Sequence, residues 1–169
     1  MLTSQRLQFE NYTEQDIEFL ERLLKNPNMV KYIGKGHVRS DDEIKHFLAW
    51  ILNHYEIHEH YGLKLLINKE TDEKIGHAGI VPQMIEGEDV LEIGYWIDEI
   101  HWQKGYATEA AEALKDLGLN HLKLKKMISL IQIDNRTSEK VALRMGMEKE
   151  KQIVLNGKNV NVYAIYFSD

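Results

Sequence analysis

Glu92-Ile93-Gly94-Tyr95-Trp96-Ile97, followed closely by Trp102-Gln103-Lys104-Gly105-Tyr106-Ala107-Thr108, is the stretch whose reading decides the fold. The first segment has strand character and the second opens a helix, with a glycine turn between them. Gly105 permits positive φ and close backbone approach. Thr108 is placed to cap the helix, and Glu109 complements its dipole. Backbone N–H groups at such a junction point outward unpaired, so they form a receptor for phosphate or pyrophosphate. Taken alone, the turn reads as an ordinary βα connection. Its neighbours change that reading.

Working outward, Met127 to Ile133 is an apolar run bounded by polar residues, the pattern of a strand covered on both faces. The helix from Thr108 to about Leu119 therefore joins two strands. Ser138, Val141, Ala142 and Met145 fall at helical spacing, and Gly146 stops that helix. Gln152 to Leu155 and Asn161 to Phe167 flank Asn156-Gly157, a hairpin turn. Upstream, Val90 to Ile97, Ile75 to Val81 and Leu63 to Ile67 read as strands, with Pro82 ending the middle one. Ile44, Phe47, Leu48, Ile51, Leu52 and Tyr55 form one helical face after the capping box Ser40 to Glu43. Thr13 opens an earlier amphipathic helix through Leu24, which Asn26-Pro27-Asn28 ends, and Leu7 and Phe9 mark a first strand. The order β, α, α, β, β, β, α, β, α, β, β predicts an α/β (α+β) single domain over residues 1–169. Its core is a mixed, mostly antiparallel twisted sheet of about seven strands, with a central β-α-β crossover and helices on both faces.

Composition bounds the function. A chain of 169 residues, 43% hydrophobic and 28% charged, suits one globular domain. It lacks cysteine, which excludes disulfides, thiolate nucleophiles and cysteine-bound zinc. It has no apolar run near membrane-spanning length, and its first residues lack a signal-peptide core. A cytoplasmic protein is expected. The net charge of −6 lacks a dominant basic stripe, so neither nucleic acid nor a membrane is an expected partner.

Three groups attract attention as chemistry. Asp134-Asn135-Arg136-Thr137-Ser138 lies at the carboxyl end of a strand, beside a helix start, where ligands gather in α/β sheets. Asn135 and Ser138 either cap that helix or offer polar groups to a ligand, and one residue can do both. Glu92 is a carboxylate in an apolar strand, on one face with Gly94 and Trp96. Burial would raise its pKa and make it a general base near neutrality. By spacing alone, a solvated strand residue is the better reading. His54 and His58, at i and i+4, read as a helix flank rather than a zinc pair, and no metal is expected.

Leu91 to Met147 resembles the GNAT superfamily of acyl-CoA-dependent N-acetyltransferases, and within it the RimJ/RimL type that acetylates ribosomal-protein N-termini. Glu92-Ile93-Gly94-Tyr95-Trp96, Gln103-Lys104-Gly105-Tyr106-Ala107-Thr108-Glu109-Ala110, and Asn135-Arg136-Thr137-Ser138 with Gly146-Met147 carry the likeness. Of the superfamily pattern Arg/Gln-x-x-Gly-x-Gly/Ala, Gly105 and Ala107 fill the last two fixed positions. Trp102 departs at the first.

The resemblance implies acetyl-CoA as acyl donor, with residues 103–108 holding the pyrophosphate. It implies that the main chain near Trp96 and Ile97 holds the thioester and that Asn135 bonds the pantetheine arm. Glu92 would act as general base, and Ser138 as the acid to the departing thiolate. Direct transfer in a ternary complex needs a neutral amine and an ordered thioester, and no covalent enzyme intermediate. The implied acceptor is an amine: a protein N-terminal α-amine, a polyamine or an aminoglycoside. A weakly catalytic acyl-CoA-binding sensor is the competing reading. A Rossmann-type nucleotide binder ranks below it, since Gly-x-Gly-x-x-Gly is missing. A homodimer through the last hairpin is compatible with the sequence.

Overall fold

The alternating residues around Gly94 form the fourth strand of a seven-stranded sheet in the computed structural model, which describes residues 1–168. The strands are β1 (Leu7–Asn11), β2 (Gly62–Asn68), β3 (Lys74–Ile85), β4 (Glu88–Ile97), β5 (Lys126–Gln132), β6 (Glu148–Leu155) and β7 (Lys158–Tyr166). Their spatial order is β1-β2-β3-β4-β5-β7-β6. Every neighbouring pair is antiparallel except β4 and β5. That parallel pair needs a crossover, which α4 (Tyr106–Asp116) and a following π-helical turn, Leu117–His121, provide.

Helices cover both faces. One face packs on α1 (Ile17–Leu24), α2 (Pro27–Val30) and α3 (Asp41–Ile57), burying Leu20, Leu23, Ile44, Ile51, Leu63 and Leu65. The other packs on α4 and α5 (Arg136–Arg144), burying Ala110, Ala111, Leu114, Ala142, Ile93 and Met127. Ala110 and Ala111 are fully buried, and their short side chains let α4 lie close to the sheet. The expected capping box at Ser40 and Glu43 is present in both directions. No helix among the described residues is long and apolar enough to cross a membrane.

Two local expectations are corrected, and a third is extended. Thr108 does not cap α4. The helix starts two residues earlier, with Gly105 in the left-handed region (φ 80) as N-cap, because only that conformation turns the chain so sharply out of the loop. Pro82 does not end β3, which continues to Ile85 with Pro82 paired to Leu91. Pairing of β2 with β3 runs only to Ile80, so Pro82 lies where that edge has no partner strand and its missing N–H costs no ladder bond. Asn26-Pro27-Asn28 does follow the end of α1 at Leu24, as expected, and the same segment begins a further helix. Asn26 accepts from the Asn28 N–H and starts the short α2, with Pro27 at the first helical position.

Close strand approach at Gly79 generates a stability prediction. A Cβ built there would lie 2.0 Å from the Gly62 carbonyl oxygen, a backbone atom that cannot swing aside. Gly79→Ala should lower unfolding free energy by about 2–4 kcal/mol, from the strain of shifting the β2–β3 ladder. A urea midpoint equal to that of the parent protein would contradict this packing account.

Candidate active site

β4 and β5 share a single registered pair, Glu92 with Ile128, and then part. In a parallel ladder the next rung would join the Leu130 N–H to the Ile93 carbonyl. Both groups are bonded elsewhere. The Leu130 N–H donates to Glu92 Oε2 at 2.9 Å, and the Ile93 carbonyl accepts from the Ser129 hydroxyl at 2.9 Å. Two side chains thus replace one rung, so neither of these two buried groups is orphaned where the sheet opens.

Past this opening, the Trp96 carbonyl is turned towards β3, where a Cβ on Gly76 would come within 2.2 Å of it. The Ile97 carbonyl accepts from the Trp102 indole N–H at 2.6 Å. Trp102 therefore fixes the end of β4, although it occupies the position where the superfamily pattern has Arg or Gln.

A groove of about 600 Å³ runs along the opening. It is lined by Tyr95, Trp96, Ile97, Trp102, Gln103, Gly105, Tyr106, Ala107, Thr108, Asn135 and Ser138. Of the residues expected to bind a cofactor, only Lys104 is not part of its wall; it is exposed. Gln103 (φ 64) and Gly105 (φ 80) both adopt left-handed backbone, and Gly105 offers no side chain to cap α4. The first-turn N–H groups of α4 are left without a side-chain cap, the arrangement that suits a pyrophosphate. The helix itself is anchored through Glu109, which accepts from Ser4 Oγ (2.5 Å), the Arg6 N–H (2.8 Å) and Arg6 Nε (2.6 Å). Partial burial raises the pKa of Glu109, but these bonds and the Arg6 charge outweigh burial and hold the carboxyl below its usual range.

A second cavity, about 190 Å³, lies against Glu92, Gly94 and Trp96 and meets the groove at Tyr95, Trp96, Asn135 and Ser138. The expectation that Glu92 is merely solvated is overturned. Burial lifts its pKa to about 7, against the lowering effect of hydrogen bonds from the Leu130 N–H and, at 3.0 Å, Gln83 Nε2. Asn135, but not the Ser138 side chain, caps α5: Asn135 Oδ1 accepts from the Ser138 N–H at 3.3 Å. Asn135 Nδ2 also donates to Ser138 Oγ at 3.1 Å, so the hydroxyl accepts there and keeps its own proton to give. The Tyr95 hydroxyl donates to the Ser138 carbonyl at 2.9 Å. The loop after α2 straps the cavity, held by Gln132 Nε2 on the Gly34 carbonyl (2.8 Å) and by Arg39 on the Ile33 carbonyl (3.0 Å).

Sequence reasoning passed over Ser129, Gln83 and Tyr32. Ser129 had a signal, a lone hydroxyl inside an apolar strand. Tyr32 had none, because the loop that carries it reaches the cavity only in three dimensions. His54 packs against the Trp50 ring at 4.4 Å, and His58 Nδ1 accepts from the His60 N–H.

Residues 6–148 match the family described as the acetyltransferase (GNAT) domain. The chain belongs to the GNAT acetyltransferase family. Protein YkkB of Bacillus subtilis strain 168 is 37% identical over 166 residues, covering 96% of this chain and 93% of that protein. An acetyltransferase from Agrobacterium tumefaciens C58 superimposes with a TM-score of 0.83 at 26% identity, over 98% and 94% of the two chains. RimL, a ribosomal L7/L12 α-N-protein acetyltransferase solved with coenzyme A, gives a TM-score of 0.77 at 21% identity, over 96% and 95%. This GNAT chain is an acetyl-CoA-dependent acetyltransferase, and the parted strands and uncapped helix start fit that donor.

The side-chain latch at the strand opening is testable. Ser129→Ala leaves the buried Ile93 carbonyl without its donor, which should cost about 1–3 kcal/mol of stability. Chemical denaturation that showed no loss would mean the ladder closes by itself and the hydroxyl is dispensable.

Proposed function

We propose that residues 1–169 form one cytoplasmic catalytic domain that transfers the acetyl group of acetyl-CoA to an α-amine. The carrying observation is the Glu92 carboxylate, with its pKa near 7, standing where the small cavity meets the opening between β4 and β5. Acetyl-CoA supplies an activated acyl group and a thiol leaving group. The groove walls from Gln103 to Thr108 would hold its diphosphate with main-chain amides, and the edge of β4 at Tyr95 would order its thiol arm rather than the expected Trp96 and Ile97, because the Trp96 carbonyl faces β3 and the Ile97 carbonyl is taken by Trp102.

Glu92 serves as the base that takes the ammonium proton, directly or through water. Magnitudes favour an α-amine. Its pKa of roughly 8 lies about one unit above that of Glu92, a transfer costing about 1.4 kcal/mol. A lysine-type amine lies more than three units above, costing over about 4.5 kcal/mol. Ser138, whose hydroxyl already accepts from Asn135, gives its proton to the departing sulfur and regains one from the second proton that the nitrogen sheds as the amide forms. Tyr95 and Asn135 act as positioning residues for Ser138. RimL, which acts on a protein α-amine, shares the fold, and that likeness supports the same acceptor chemistry.

Two outcomes are expected. Glu92→Gln can still accept from the Leu130 N–H, so acetyl-CoA affinity should stay within about twofold while turnover falls about 10²–10⁴-fold. In the parent enzyme kcat should rise with pH to a plateau through a midpoint about 7, because the base works only when ionised; the variant should lose that limb. Thiol release measured across pH decides it, and undiminished turnover in the variant would remove Glu92 from the mechanism. Gly105→Val forces a branched side chain into left-handed backbone and should weaken acetyl-CoA binding at least about tenfold by calorimetry. Unchanged affinity would place the diphosphate elsewhere.

A further inference from the structure

The small cavity carries information about the acceptor itself. Its floor is Leu63 and Val81, and Trp50, Trp96 and Tyr32 wall it on the side of α2 and α3. Among the described residues, Glu92 is the only Asp, Glu, Lys or Arg in its lining; the other polar side chains there are neutral amides and hydroxyls and the Trp50 and Trp96 indoles. At about 190 Å³ it is below the range of roughly 300–1,000 Å³ usual for drug-sized ligands.

We infer that the acceptor is a compact α-amine bearing one positive charge and an apolar side group, rather than a polycation. The inference deepens the proposed function and rests on it. The amine end belongs at Glu92, the one group able to neutralise it. The side group then lies against Trp50, Trp96 and Leu63, where burial of apolar surface stabilises it. An aromatic side group gains further from ring–ring contact. A second ammonium inside this lining would find no carboxylate, since Glu92 is already committed to the first. An unpaired charge taken out of water costs several kcal/mol. Polyamines and aminoglycosides carry several such charges, and the latter also exceed the space.

Lysine amide against leucine amide tests the charge argument, and norleucine amide, which carries lysine's four side-chain carbons without the ammonium, controls for the longer reach and should turn over like leucine amide. Thiol release from acetyl-CoA by the whole protein should give kcat/KM for leucine and phenylalanine amides at least about 100-fold above lysine amide, as expected from one uncompensated buried charge. Spermidine and kanamycin should be poorer still. Trp50→Ala, checked for folding by its melting with acetyl-CoA, should erase the preference for phenylalanine amide over glycine amide. Equal or better turnover of lysine amide, spermidine or kanamycin, or a preference that survives Trp50→Ala, overturns the inference while leaving acetyl transfer standing. Thiol release with none of these amines, while acetyl-CoA still raises the melting temperature, defeats the proposed function and this inference with it.

Discussion

Everything in this molecule turns on a sheet that stops pairing in its middle. β4 and β5 meet at Glu92 and Ile128 and separate at the next rung. Breaking a buried ladder normally strands a donor and an acceptor, at a cost comparable to that of a lost hydrogen bond each. Here Glu92 satisfies the donor and Ser129 the acceptor. The opening is thus a satisfied structure, and it can persist without a ligand to fill it.

The same contact links architecture to chemistry. Glu92 holds the wedge open with one oxygen, and Gln83 holds the other. The carboxylate is thereby oriented and sheltered from bulk water. Shelter raises its pKa further than the two hydrogen bonds lower it, which leaves it near 7. A base at that value is half ionised near neutrality and matched to a weakly basic amine. Trp102 completes the frame at the far end of β4 by bonding the Ile97 carbonyl. The proposed donor groove is lined by α4 and α5 together with Asn28 and Met29 of α2, and Tyr32 and Trp50 wall the smaller cavity proposed for the acceptor.

Much of this was legible in the residues. The period-two pattern through 90–97, the apolar run at 127–133 and the turn at Asn156-Gly157 specify strands whatever surrounds them, and the sheet contains all three. Gly105 was legible as the pivot, because no other residue takes φ 80 so readily. Thr108 was misplaced as a cap, since a side-chain cap and a left-handed glycine are alternative ways to begin the same helix and local sequence favours neither. Pro82 misled for a related reason: whether a proline ends a strand depends on whether a neighbour needs its N–H. That neighbour, β2, had already left the sheet edge.

Sequence by itself determined the order of elements, the glycine turn at the helix start and the pairing of Asn135 with Ser138, all of which depend on contacts within a few residues. Only the tertiary structure decided the state of Glu92 and the character of the small cavity beside it. A pKa depends on solvent exclusion and on partners 9 and 38 residues away. A cavity depends on which distant side chains converge, here Tyr32, Trp50 and Leu63 with Glu92. Hydrophobic periodicity encodes which face of a strand is covered, and it carries no record of what covers it.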